Sequence, residues 1–350
     1  MEELQSYSDV LKHLNEQNRK HHLLLGNGFS MAYDGSIFSY NALNDLISES
    51  DDAELKLIFE ILKTQNFEIV MKQLDNYAEI SNILGADQKL IDKVKMISLD
   101  LKTKLLNSIT SLHPEQVFNI SEAKSKSCAE FIKEYLQSDG NVFSSNYDLL
   151  LYWILMRNSD IKCNDGFGRY PENIDDSEFI PEGDITWSGL TWGKYKTTQN
   201  IYYLHGALPL FDTGSDIIKE EYNGNEYLLN SIKKRIEKGE YPIFVTAGDG
   251  DQKLYHIRHN QYLNYCYDTL CQIDGSLVVF GFGFGEFEKH IIKAINKAAH
   301  LRNESGNKLL SIYIGIFSQK DYNHIKSIES EFRCKVNLYD AKTANIWAEQ

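Results

Sequence analysis

No two of the five cysteines stand in a CxxC pair. Cys128, Cys163, Cys266, Cys271 and Cys334 are scattered and odd in number, which argues against a zinc ribbon and predicts reduced thiols rather than a disulfide framework. No apolar run approaches the roughly 18 residues of a membrane helix. Met1-Glu2-Glu3-Leu4 is acidic with no apolar run behind it, so no signal peptide is visible. A basic excess is missing too. The formal net charge is -14 and the pI is about 5.2, against the basic face that broad nucleic-acid binding needs. The densest basic cluster, Lys233-Lys234-Arg235, reads as a solvated helix face. These absences predict a cytoplasmic protein with no membrane contact, no direct nucleic-acid contact, no metal site and no prosthetic group.

What is present is apolar material in strand–helix order. At 350 residues and 42% hydrophobic, the chain can bury a large core. The organising stretch is Leu23-Leu24-Leu25-Gly26-Asn27-Gly28-Phe29-Ser30. Three consecutive leucines suit a strand buried on both faces of a parallel sheet. Gly26 and Gly28 let the backbone turn sharply and approach a ligand. Phe29-Ser30 opens a segment whose free N–H groups would favour a phosphate. The dinucleotide fingerprint GxGxxG is incomplete, since Met31 occupies the place of its third glycine. On the glycines alone, a structural turn and a phosphate loop are equally good readings.

In chain order, Ser8 to Lys20 reads as an amphipathic helix, and Phe38 to Ile47 as another. Asp51 to Gln137 reads as mostly helical, an insertion between the first and second strands of the sheet. Leu55, Ile58 and Leu62, then Ile69, Val70, Leu74 and Tyr77, then Leu90, Val94, Ile97, Leu101 and Leu105 form stripes at helical spacing. No proline occurs between Asp51 and Thr110. Further strands are expected at 140–145, 200–204, 242–246, 276–280, 309–317 and 335–338. The loop-rich stretch from Cys163 to Trp192 suits a surface flap. Repeated strand–helix units predict an α/β fold, a Rossmann-like parallel sheet forming a single domain.

Ligands of such sheets sit beyond the carboxyl ends of the strands. Four special sequences occupy those ends: Gly26–Ser30, Ser145-Asn146-Tyr147-Asp148, His205-Gly206 and Gly281-Phe282-Gly283-Phe284-Gly285. In that order they resemble the sirtuin superfamily, and more closely the bacterial sirtuin-like NAD-consuming proteins of antiphage defence. Sirtuins carry Gly-Ala-Gly-x-Ser where this chain has Gly26-Asn27-Gly28-Phe29-Ser30. They carry Gln-Asn-Ile-Asp where it has Ser145-Asn146-Tyr147-Asp148. A His-Gly pair matches His205-Gly206, and a late glycine loop that binds the adenosine side is similar to Leu277 to Gly283. The resemblance covers roughly residues 20–50 and 138–345.

The departures narrow the chemistry. The four-cysteine zinc module of deacylases is absent, Ser145 replaces the glutamine, and no Phe-Arg pair follows the first loop, although Phe38 could supply its aromatic. Acyl-lysine chemistry is therefore disfavoured, and the incomplete fingerprint disfavours a dehydrogenase. Nicotinamide–ribose cleavage stays compatible.

The resemblance implies NAD+ as substrate. Asn146 would hold the nicotinamide ribose and orient water, since an amide both donates and accepts. Asp148 would accept from the carboxamide, and His205 would be the general base, with an ordinary pKa near 6.5. Gly26, Asn27, Gly28, Phe29, Ser30, Ser145, Tyr147, Gly281, Phe282 and Gly283 would line the dinucleotide. Plainer readings stand beside these. Asn-x-Asp after a strand is a common helix cap, and His256, His259 and His290 lack the strand-end setting of His205. The expected activity is an NAD+ glycohydrolase, gated by homo-oligomerisation or by a partner such as a HerA-class ring ATPase. A module that binds NAD or ADP-ribose without turnover is the alternative.

Overall fold

The computed structural model describes residues 4–35, 53–63, 67–111, 114, 116–172, 181, 184–222, 224, 226–245 and 249–349. A two-residue strand, β1 (Gln5–Ser6), leads into α1 (Tyr7–Glu16). Ser6 and Asp9 close that helix start reciprocally, each side chain taking the other's backbone N–H. β2 (His21–Leu25) is buried at every position, and Gly26 caps the short α2 (Asn27–Tyr33). Next come α3 (Ala53–Leu62), α4 (Phe67–Ile83), α5 (Gln88–Ser111) and α6 (Glu122–Gln137), then β3 (Val142–Ser144). The chain continues with α7 (Leu150–Arg157), β4 (Phe167–Gly168), β5 (Leu190–Trp192), β6 (Ile201–Tyr203), β7 (Gly206–Asp212) and β8 (Ile217–Lys219). α8 (Leu228–Glu237), β9 (Pro242–Phe244), α9 (Gly250–His259), α10 (Gln261–Leu270) and β10 (Gly275–Phe280) follow. α11 (Lys289–His300), β11 (Leu309–Ile316), α12 (Gln319–Ile328) and β12 (Lys335–Asp340) complete the alternation.

Seven strands form one parallel sheet in the order β1-β12-β11-β10-β2-β3-β6. From β2 the chain steps one way to β3 and β6; from β10 it steps the other way to β11 and β12. The reversal lies between β2 and β10, where Leu25 pairs with Phe280. In open parallel sheets this is where a crevice forms beyond the carboxyl ends. The fold is thus α/β and Rossmann-like in general, as expected.

The other five strands form a second sheet, β4-β5-β8-β7-β9, with antiparallel pairings. The strand expected at 242–246 belongs here as β9 and not in the parallel sheet. Gly206 causes the departure. It adopts φ 81°, and a Cβ there would lie 1.8 Å from the Ile243 carbonyl oxygen. The backbone therefore turns out of β6 directly into β7, whose Pro209 and unalternating apolar residues carry no strand signal. The stretch expected as a flap contributes β4 and β5, while 173–180 and 182–183 lie outside the described residues. So does the helix expected at 38–47, Phe38 included.

The block from 51 to 137 is mostly helical where it is described. Leu55, Val70, Leu74, Val94 and Leu101 are buried, as their stripes require, but Tyr77 and Leu90 are exposed. The side chains of Ile69 and Leu105 lie outside the described set. α6 packs against β2 and β3 and serves as the crossover helix between them. Among the described residues no helix is long and apolar enough to cross a membrane.

β2 also carries a buried titratable group. His22 Nδ1 accepts the Asn141 N–H at 3.0 Å, which fixes the neutral tautomer with its proton on Nε2, 3.6 Å from Asp274. Burial pushes the His22 pKa down, below the value near 6.5 of an unfolded chain. The unfolded state then binds the extra proton in acid. The His22 contribution to stability is full above about pH 6.5 and falls below it, by up to about 1.4 kcal/mol per pH unit. Urea unfolding at pH 7.5 and 5.5 should show this loss, and His22→Asn, which keeps an acceptor for Asn141, should flatten it. An unchanged slope in the variant would show that His22 titrates freely in the folded protein.

Candidate functional site

The first and last glycine loops meet at the sheet reversal. The Gly26 N–H donates to Phe280 O at 3.0 Å and the Gly28 N–H to Gly281 O at 2.8 Å. A Cβ on Gly26 would stand 2.5 Å from Gly281 O, and one on Gly28 would stand 2.6 Å from Gly281 Cα. Gly281 itself sits at φ 69°, its own Cβ position 2.5 Å from the Phe29 nitrogen. These glycines were expected to make room for a ligand. They first make room for one another, because two turns leaving adjacent strands must cross at backbone distance. Gly283 differs: no atom lies within 4 Å of where its Cβ would be.

A cleft of about 1980 Å³ opens beside this crossing. Asn27, Gly28, Gly281, Phe282 and Gly283 line one part, Lys253 and Glu288 another, and Trp347 closes a third side. Trp347 Nε1 donates to Phe29 O at 2.9 Å, and its ring packs 5.1 Å from that of Phe29. Phe29 is accordingly a core residue and does not line the cleft, contrary to expectation.

Behind the wall, the second motif joins the first. Asn146 Nδ2 donates to Ser30 Oγ at 2.8 Å, and Ser30 Oγ donates to Asp148 Oδ2 at 2.5 Å. Asp148 Oδ1 accepts the N–H of Leu150, the first residue of α7, at 2.9 Å. Burial raises the Asp148 pKa, and the bonds from Ser30 and Leu150 oppose the rise. Ser145 Oγ donates to Leu25 O at 3.2 Å, and Tyr147 OH to Val245 O at 2.9 Å. The sequence placed Ser30, Asn146 and Asp148 together correctly. It did not show that they point at one another: all three are buried, and none lines the cleft.

His205 is likewise buried, its ring stacked 6.5 Å from that of Tyr147. Its Nε2 lies 2.8 Å from His290 Nε2, and Glu288 Oε2 is 3.7 Å from each of these nitrogens. Lys253 holds the other Glu288 oxygen in a buried ion pair. Burial, then the neighbouring His290 and Lys253, push the His205 pKa well below its ordinary value. Burial and Lys253 bring His290 down to about 3. Both rings are neutral at neutral pH, so neither forms an ion pair with Glu288. Burial also raises Glu288, against the pull of Lys253. Among the described residues, His205 Nδ1, His290 Nδ1 and Glu288 Oε2 have no hydrogen-bond partner.

This cluster had no signature along the chain. Position 205 is remote from 288 and 290, and His290 begins a helix with no strand-end setting. The one available hint was two acidic residues and a histidine, Glu286, Glu288 and His290, directly after a glycine loop.

A family model described as a domain of unknown function, DUF4917, matches residues 23–347. The chain belongs to the DUF4917 family. The matched span opens inside β2 and ends on Trp347, the indole that packs back on the first glycine loop. Both glycine loops, the Ser30–Asn146–Asp148 chain and the histidine cluster lie within the matched span, while β1 and α1 precede it. No curated protein matches the sequence.

Proposed function

We propose that this protein is an NAD+ glycohydrolase that releases nicotinamide and ADP-ribose, acting in antiphage defence by depleting NAD. The observation that carries the reading is the crossing of Gly26–Gly28 with Gly281–Gly283 at the β2/β10 reversal. A cleft of dinucleotide size opens there, and the Ser30–Asn146–Asp148 chain lies directly behind. The order of these elements is that of the sirtuin-like proteins; within the segment from 51 to 137 read as an insertion, α6 belongs to the sheet as its β2–β3 crossover, and the helices before it are the inserted part. The nicotinamide ring is cationic in NAD+ and departs as a neutral molecule, taking the bonding pair, so the protein has mainly to stabilise the developing sugar cation and deliver water.

In this reading Asn146 orients the water and the ribose once Ser30 releases its amide. Asp148 takes the carboxamide. His205 meets the substrate through Glu288, which lines the cleft beside it. A carboxylate raised by burial is suited to accept the proton of the attacking water. The closed Ser30–Asn146 bond represents a resting state, and a NADase needs one, since free turnover would deplete its own cell. A homo-oligomer or a HerA-class ATPase is the proposed trigger.

The test is incubation with NAD+ followed by chromatography, with and without the candidate partner. Nicotinamide and ADP-ribose in equal amounts are expected. The burial of Asn146 and His205 favours a second reading, a module that binds NAD or ADP-ribose without turnover. Saturable binding with no nicotinamide release in either condition selects it.

A further inference from the structure

We infer that His205, Glu288 and His290 form a binding site for one divalent first-row transition-metal ion, of the zinc class. The three donor atoms, His205 Nε2, His290 Nε2 and Glu288 Oε2, lie at 2.8, 3.7 and 3.7 Å from one another. An isosceles triangle with those sides has a circumradius of about 2.0 Å. A point at its centre is thus about 2.0 Å from both nitrogens and the oxygen. Zinc bonds to imidazole nitrogen run at about 2.0–2.1 Å and to carboxylate oxygen at about 2.0–2.2 Å. The distances fit the ion; the two rings, whose centroids lie 5.0 Å apart, aim their Nε2 atoms at each other and turn toward the ion to ligate it.

The chemistry of the donors agrees with the geometry. Two neutral rings joined only by an Nε2–Nε2 hydrogen bond make a poor buried pair. One Nε2 must donate, and that ring then carries a bare Nδ1 with no partner, while the carboxylate oxygen beside them is also unpartnered among the described residues. A cation on the three donors takes up the Glu288 oxygen that Lys253 does not reach and places the proton of each ring on Nδ1. Lys253 pins the second oxygen of Glu288 and so fixes the direction of the first. Two histidines and one carboxylate leave coordination positions open, the pattern of reactive rather than structural sites.

The site departs from the expectation of no metal site. It also changes the roles of His205 and Glu288, which become ligands when the ion is present, so that Glu288 is then no longer the proton acceptor. The inference stands on the donor triangle and does not need NAD+ as the substrate, so it is tested without turnover.

The full-length protein is stripped with a chelator, dialysed against zinc or cobalt(II) chloride, and freed of excess ion. Elemental analysis should find about one equivalent per chain. Cobalt should give d–d absorption bands, and the ion should raise the melting temperature. His290→Gln and Glu288→Gln should each lower the retained metal at least tenfold and abolish the bands. His259→Ala, on the surface of α9, should change neither. Wild-type protein that retains less than a tenth of an equivalent and melts at the same temperature with and without the ions overturns the site. So does equal retention and an equal cobalt spectrum in the two Gln variants. If a Gln variant fails to fold, the wild-type stoichiometry and spectrum decide alone. A protein that binds the ion and leaves NAD+ intact keeps the site and removes only the glycohydrolase reading.

Discussion

Asn146→Ala is expected to lower NAD+ cleavage by about 10²–10³-fold, the loss that follows removal of one preorganised polar stabiliser. The same substitution breaks the bond to Ser30 Oγ, so part of its effect will be structural. Leaving a buried polar partner unmatched costs about 1–3 kcal/mol. Ser30→Ala separates the two contributions. It removes the hydroxyl that Asn146 and Asp148 share and frees the amide toward the cleft. If Asn146 acts on the substrate, Ser30→Ala keeps far more turnover than Asn146→Ala at similar thermal stability. Equal losses in the two variants would reduce the chain to a tie between the strand ends and the start of α7. The informative readout is kcat beside a melting curve for each variant.

The same chain of bonds shows how far the sequence could be read. The strand ends were legible because parallel strands buried on both faces produce continuous apolar runs, such as Leu23 to Leu25 and Leu277 to Phe280, that end abruptly in glycine or asparagine. That signal placed β2, β3, β6 and β10 and grouped Ser30 with Asn146. It carried no information on where a side chain points. Asn146 toward Ser30 and Asn146 toward a ligand differ only in side-chain direction, and one sequence is compatible with both. The second sheet was illegible for a related reason. β7 is buried at six of its seven positions, so its polar residues do not alternate, and it contains a proline. Its strand character comes from pairing with β8 and β9, a tertiary effect that outweighs local preference. The histidine cluster was hidden more deeply. A metal site made of neighbours in sequence has a spacing that can be recognised, whereas His205 and His290 meet only because β6 and the start of α11 end at the same side of the sheet.

The glycines yield the other large effect. Gly281→Ala should destabilise the protein by about 3 kcal/mol, combining the strain of an alanine at positive φ, roughly 1–2 kcal/mol, with overpacking against a neighbouring backbone. The neighbour is the Phe29 nitrogen, 2.5 Å from the new Cβ; because it is backbone, it cannot swing aside as a side chain would. Gly283→Val should do the opposite. Its Cβ enters open space, with no atom within 4 Å, yet the residue lines the cleft. The variant should melt with the wild type and bind NAD+ at least about tenfold more weakly, the effect of some 1.4 kcal/mol of lost contact. The two glycines lie two residues apart in one loop, so general damage to the loop would move both measurements in both variants. Separate losses, of stability at 281 and of affinity at 283, would show that the loop performs two tasks: one backbone face locks against the Gly26 turn and the other faces a dinucleotide. Unchanged affinity in Gly283→Val would place any nucleotide away from this end of the cleft and would remove the glycine crossing as support for the glycohydrolase reading.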